Sequence, residues 1–273
     1  MVNALVITGY GFNCEEETAA AFRCAGAAAS IVHINDILAG HSIHGYDIIA
    51  FIGGFSFGDD IASGRVLANK IRYSKLAGGS TLLDEITAFI AAEKYVIGVC
   101  NGFQVLVKLG LLPATEGVRQ QVTLTKNSSN KFEDRWVFLK KNPKADTPFL
   151  KGINVITLPV RHGEGRMVFG EGAGNVVISK GLNVFSYCTR EGEITSEYPA
   201  NPNGAELSCA GLCDTTGRVF GLMPHPEAYL SLYNNPDWPR MKREKPALSD
   251  EGEGLLIFKN IVQHIDAQKG GCR

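Results

Sequence analysis

The sequence has no stretch approaching the roughly 18 consecutive apolar residues of a membrane span, so no contact with a bilayer is expected. It has almost no surplus charge. Lys plus Arg number 27, Asp plus Glu 28, and the formal net charge is -1. Nothing in that balance asks for a polyanion, so no nucleic-acid partner is expected. There is no basic n-region in "MVNALVITGYGFN", so no secretory leader is expected either, and a cytoplasmic location is. A disulfide framework is also missing. The seven cysteines are odd in number and irregular in spacing, which suits free thiols in a reducing compartment. Cys209 and Cys213 in "SCAGLC" have no second ligand pair after them, so no metal site is expected. Cys14 and Cys24 read as packing or surface residues of a first helix, and His33, His41, His44 and His264 have no chemical company. No internal repeat and no low-complexity tract is present.

What is present is an alternation. "ALVITGYG" (4–11), "ASIVHI" (29–34), the start of "YDIIAFIGGFSFGDD" (46–60) and "YVIGV" (95–99) are short apolar runs that read as strands. Between them, 14–27, 63–76 and 80–92 read as helices, the first with Asn13 as its N-cap. A further helix over 101–112 is stopped by Pro113. Continuous rather than alternating apolar strands imply a parallel sheet covered on both faces. From roughly 118 to 222 the helical period fades, and "RWVFLK", "NVITLPV", "NVVISKG" and "RVFGLMP" predict a β-rich stretch. "NNPDWPRMKREKPALSDEGEG" (234–254) reads as an exposed loop, and 253–268 as a last amphipathic helix.

Three local patterns carry chemistry. Gly98-Val99-Cys100-Asn101-Gly102 is a strand-to-helix bend with a thiol at its tip, the sulfur counterpart of a nucleophile elbow. A cysteine there meets the positive end of a helix, which favours thiolate, and the Asn101 N–H can donate to an oxyanion. Alone, the pattern fits a structural cysteine ending a buried strand equally well. "GLMPHPE" (221–227) sets His225 between two prolines with Glu227 two residues on, so the carboxylate can orient an imidazole acting as base to Cys100. "FIGGFSFGDD" (51–60) lets backbone approach a ligand and can offer a second oxyanion donor. That loop lacks the Lys and Ser/Thr of a P-loop, which argues against a nucleoside triphosphate.

Cys100-Asn101-Gly102-Phe103-Gln104 together with Pro224-His225-Pro226-Glu227 resembles the class I, or triad, glutamine amidotransferases. "GGFSFGDDIASGRVLANKI", "NKFEDRWV", "RHGEGR" and "YPANPNG" resemble, more closely, the glutaminase components of phosphoribosylformylglycinamidine synthases. The resemblance implies one flavodoxin-like α/β amidotransferase domain over 1–273, with a mostly parallel central sheet, helices on both faces and a β-rich elaboration at about 118–222. It implies hydrolysis of L-glutamine through a thioester on Cys100, with His225 as base and Glu227 as its orienter. Gly54, Phe55 and Asn101 would form the oxyanion hole, and Gly53, Gln104, His162, Gly163 and Glu164 would bind substrate. It also implies a large synthase subunit and a small accessory subunit as partners. The chain shows no ATP-grasping motif, so no cofactor is expected here, and ATP and Mg would belong to the synthase. Another amidotransferase of the same class, a Cys-His-Glu peptidase or hydrolase on a similar fold, and a binding module with an inert thiol are the alternatives.

Overall fold

Short apolar strands and helices alternate over the first part of the chain. In the computed structural model, which describes residues 1–270, these are β1 (Asn3–Thr8), α1 (Glu15–Cys24), β2 (Ala28–His33), α2 (Ile34–Leu38), β3 (Ile48–Phe51), α3 (Arg65–Tyr73), α4 (Leu82–Ala91), β4 (Tyr95–Val99) and α5 (Asn101–Leu109). The next stretch is mostly strand: β5 (Val122–Thr125), β6 (Glu133–Lys141), β7 (Val155–His162), β8 (Arg166–Phe169), α6 (Ala173–Ser179), β9 (Asn183–Cys188), β10 (Cys209–Cys213) and β11 (Val219–Leu222). Two helices close the chain, α7 (Trp238–Glu244) and α8 (Leu255–Gly270). Cys272 lies outside the described residues.

Nine strands form one sheet in the order β2-β1-β3-β4-β11-β10-β9-β6-β7, while β5 and β8 pair separately. From β2 to β11 every neighbour runs parallel, and from β11 to β7 every neighbour runs antiparallel. Every residue of β3 and β4 is buried, as a strand covered on both faces requires. The cover comes from two helix groups. In one, α1 meets α8, with the Phe22 and Phe258 rings edge-on at 5.0 Å. In the other, α3 packs on α4 and α5. The expected α/β class and β-rich stretch are what the chain adopts.

Several local expectations do not hold. Residues 175–181 were expected as a strand because Val-Val-Ile is β-branched, yet this segment lies largely in α6. Burial explains it: Ala173 and Val177, four apart, face the core while Ile178 is half exposed. Helix α5 ends not at Pro113 but at Gly110, whose φ of 77° the left-handed C-cap requires. The expected loop 234–254 holds α7, whose Arg240 pairs with Asp237 and Glu244 one turn away on either side. Asn13 does not cap α1. Cys14 occupies that position without a side-chain cap, and Asn13 Oδ1 accepts from Cys14 Sγ at 3.2 Å instead.

Candidate active site

The parallel strands β4 and β11 lie side by side, with Val99 in register with Leu222. Their C-terminal ends therefore deliver Cys100 and His225 to the same edge of the sheet. The Cys100 N–H donates to the Leu222 carbonyl at 2.9 Å, and the His225 N–H to the Pro159 carbonyl of β7 at 2.8 Å. One neighbouring chain segment thus pins the backbone under each functional side chain.

Cys100 sits at φ 51°, ψ -106°, a conformation that non-glycine residues rarely adopt. The flanking glycines make the bend possible by close approach. A Cβ at Gly102 would fall 2.0 Å from the Phe51 carbonyl oxygen, and one at Gly98 would meet Leu106 at 2.5 Å. Asn101 opens α5, where first-turn amides have no acceptor within the helix. The Asn101 N–H is therefore available to an anion beside Cys100.

His225 Nδ1 and Glu227 Oε1 are 2.6 Å apart, and both side chains are almost fully buried. Burial disfavours the imidazolium, but the Glu227 carboxylate, helped by the Cys100 and Cys14 thiols, outweighs it and raises His225 well above its ordinary value. The Glu227 contact holds Nδ1 and leaves Nε2 as the free ring nitrogen. Nε2 has no aligned hydrogen-bond partner among the described residues.

These groups line a cavity of about 190 Å³. Gly54 and Phe55 also line it, with Asn13, Cys14, Glu17, Phe132, Arg161 and Ala228. Its size suits a single amino acid better than a peptide strand or a dinucleotide. Phe55 and Phe132, both half exposed, stand 6.5 Å apart between ring centroids, and both rings border the cavity.

The structure brings Cys100, His225 and Glu227 onto one cavity wall, and it places the other predicted residues differently. Gly54 has φ 132° and packs against Phe12, which leaves little room for a side chain. The Phe55 N–H is committed to the Gly11 carbonyl at 2.7 Å, so it is not a free oxyanion donor here. Gly53 lies behind the imidazole rather than on the cavity wall. A Cβ there would sit 2.8 Å from His225 Cε1.

Gln104, His162, Gly163 and Glu164 do not line the cavity. Gln104 and Glu164 belong to a closed ring of hydrogen bonds behind it. Asn101 Nδ2 donates to Asp59 at 3.2 Å and to Gln104 Oε1 at 3.0 Å, and Gln104 Nε2 donates to the Glu164 carbonyl at 2.5 Å. The Ser63 N–H donates to Glu164 Oε2 at 3.1 Å, and Ser63 Oγ to Asp59 at 2.8 Å. This ring ties the glycine-rich loop, α5 and the β7–β8 connection into one support. His162 is buried, and desolvation pushes its imidazole down to about 3, so it is neutral and unsuited to hold a carboxylate. The Gly163 carbonyl accepts from the Asn127 N–H at 2.9 Å. Alternation along β7 accounts for the displacement: Arg161, exposed, faces the cavity and His162 the interior.

Arg161, Glu17, Asn13 and Cys14 were not foreseen as site residues. Arg161 is the first residue of the "RHGEGR" stretch, so strand alternation was a signal that could have singled it out. The other three lie at the start of α1, where only the tertiary fold shows what they face.

Residues 1–265 match the model of the CobB/CobQ-like glutamine amidotransferase domain. The chain is 45% identical over 272 residues to the phosphoribosylformylglycinamidine synthase subunit PurQ of Methanococcus maripaludis, covering 96% of this chain and 97% of that one. It is 42% identical over 263 residues to the protein of the same name from Dehalococcoides mccartyi, covering 96% and 97%. Among solved structures, that of PurLQS from Thermotoga maritima matches with a TM-score of 0.70 and 27% identity, over 97% of this chain and 99% of that one. The chain belongs to the glutamine amidotransferase family, in the branch with a CobB/CobQ-like domain.

Proposed function

We propose that this chain is the glutaminase subunit of a phosphoribosylformylglycinamidine synthase, acting in purine biosynthesis. The observation that carries the chemistry is the meeting of Cys100 with the buried His225–Glu227 pair in one amino-acid-sized cavity. The near full-length similarity to PurQ subunits carries the biological assignment.

In this reading Cys100 Sγ attacks the side-chain amide carbon of L-glutamine, forming a C–S bond. The oxyanion is held by the N–H groups of Gly54 and Asn101. Losing one such donor typically costs about 10²–10³ in turnover. His225 takes the Cys100 thiol proton on attack and passes it to the departing nitrogen, and the C–N bond breaks to release ammonia. Glu227 stabilises the imidazolium that forms. Water, activated by His225, then cleaves the thioester to glutamate and restores the thiol. Arg161 is placed to hold the substrate α-carboxylate and Glu17 the α-amino group, because they supply one charge of each sign on the cavity wall.

Ammonia released to bulk water would be protonated and lost as a nucleophile. A synthase partner therefore receives it, converting formylglycinamide ribonucleotide and ATP to formylglycinamidine ribonucleotide. ATP and Mg would be bound by that partner. The likeness to PurLQS supports a complex with a large synthase subunit and a small accessory subunit. We place the chain, as one amidotransferase unit, in the cytoplasm. All six described cysteines are free, and no described helix is long and apolar enough to cross a membrane.

The test is alkylation by an electrophilic glutamine analogue, read by mass spectrometry. A single adduct on Cys100 is the expected result, and an adduct elsewhere, or none, overturns the site. Glutamate release measured with and without the synthase should rise on complex formation. Equal rates overturn the coupling.

A further inference from the structure

The reaction above uses three side chains at its centre, yet a fourth stands beside the same imidazole. Cys14 Sγ, a ring nitrogen of His225 and a carboxylate oxygen of Glu227 all lie within 4.8 Å of one another. A Cβ built on Gly53 would meet His225 Cε1 at 2.8 Å and Cys14 Sγ at 3.0 Å, so ring and sulfur flank the same glycine. Cys14 also shares the cavity wall with Cys100, His225 and Glu227. Its backbone is fixed, because the Cys14 carbonyl accepts from the Thr18 N–H at 3.0 Å. Helix α1 in turn packs on the Pro226–Ala228 turn that carries Glu227. The Cys14 thiol donates to Asn13 Oδ1 at 3.2 Å. With its proton committed there, the sulfur lone pairs are left for the ring.

We propose that Cys14 is a positioning residue of the glutaminase reaction, its sulfur a soft, electron-rich wall that holds the His225 ring in place for Cys100. This role presupposes the glutaminase reading above and adds a residue to it. Glu227 holds the ring by one nitrogen, at 2.6 Å. A ring held at a single point can rock about that bond. The Gly53 backbone closes one direction, and Cys14 Sγ closes the direction next to it. The sulfur also bears on the charge of the ring. Against the burial that disfavours the imidazolium, Glu227, Cys100 and Cys14 each favour it. Burial raises the Cys14 thiol above its ordinary value, so it keeps its proton and adds no second anion beside Cys100.

The other titratable and charged groups around His225 are Glu227 from its own turn, Cys100 from the β4–α5 bend, Glu17 from α1, and Arg161 and His162 from β7. All of them stay in place when Cys14 alone is replaced. Cys100 and His225 give up two protons in two steps that belong to the pair. Removing an electron-rich neighbour destabilises the imidazolium. At least one of the two steps then moves to lower pH and neither moves to higher, whichever of the two side chains holds the shared proton.

The experiment follows the rate of Cys100 alkylation by iodoacetamide against pH in the full chain, read peptide by peptide by mass spectrometry, alongside kcat and KM for glutamine in the complex with the synthase. Cys14→Ala should move a titration step down by about half a unit or more. It should also lower kcat about 10-fold while KM changes less than about 3-fold. Cys14→Ser, whose hydroxyl can donate to Asn13 and still turn lone pairs to the ring, should recover part of both. Cys24→Ala, at the exposed end of α1, should match the wild type. A loosened helix alone would leave the titration steps where they are and would be rescued no better by Ser than by Ala. Unmoved steps, a step moving to higher pH, or a Cys14→Ser variant no closer to wild type than Cys14→Ala overturns the proposal. The alkylation profile needs no glutamine. A wild type that fails to hydrolyse glutamine therefore sinks the glutaminase reading, while the profile still judges Cys14.

Discussion

The two halves of the nine-stranded sheet contribute to the site in different ways. The parallel half gives backbone: a bend at Cys100, and glycines so close-packed that a methyl group would collide. The antiparallel half gives side chains from a strand edge, with Arg161 and Phe132 on the cavity wall. Backbone placement is all or nothing, because an amide cannot be re-aimed without moving the chain. Side-chain placement is graded, because a long residue can be shortened and leave the rest standing. The contrast predicts where substitutions will be severe.

The largest effect falls on the bend. Cys100→Ala removes the covalent step, so glutamine hydrolysis should fall by about 10⁶ while circular dichroism and the melting curve stay near wild type. Measurable thioester turnover in that variant would break the assignment. Next come two glycines, one from each half. Gly102→Ala would set a Cβ 2.0 Å from the Phe51 carbonyl and should cost at least about 3 kcal/mol in denaturant unfolding. At Gly163 the nearest atom to a new Cβ is Phe132 Cδ2 at 3.9 Å, so Gly163→Ala should stay within about 0.5 kcal/mol. Equal costs would erase the distinction between the halves.

A third comparison uses pH. Lys108 of α5 is buried with no partner for Nζ among the described residues, and desolvation pushes its pKa down to about 8. Between that value and the ordinary 10.5, the unfolded chain holds more protons, so stability rises as pH increases through this window. The penalty is present in full below about pH 8 and amounts to about 3 kcal/mol. Lys108→Met should therefore be more stable than wild type at neutral pH, with the difference shrinking toward pH 10.5. A constant difference across the range would contradict it. The smallest effect belongs to the strand edge: Arg161→Ala should raise KM for glutamine about 10–100-fold, with kcat much less affected.

Legibility in the sequence followed the same division. The bend at 98–102 and the imidazole–carboxylate pair at 225–227 are contiguous, so spacing alone revealed them. The first four sheet strands were visible because burial on both faces leaves an unbroken apolar run. Arg161 was hidden in a segment whose more conspicuous His162 points the other way. Cys14 looked like an ordinary helix residue because the ring it stands beside, His225, comes more than two hundred positions later. Phe55 was misjudged because its amide pairs with Gly11, a contact between two loops that neither announces. The helix at 173–179 was misread because β-branched residues outweighed a four-residue burial spacing.

Strand β11 is the last strand in the chain yet occupies the middle of the sheet, between β4 and β10. Until it is synthesised, β4 has an open side and the nucleophile has no base. A polypeptide interrupted before Val219 would hold two unjoined sheet fragments and a thiol without catalytic means. The order in which the ribosome delivers the chain therefore acts as a safeguard, withholding ammonia release until the molecule is nearly finished.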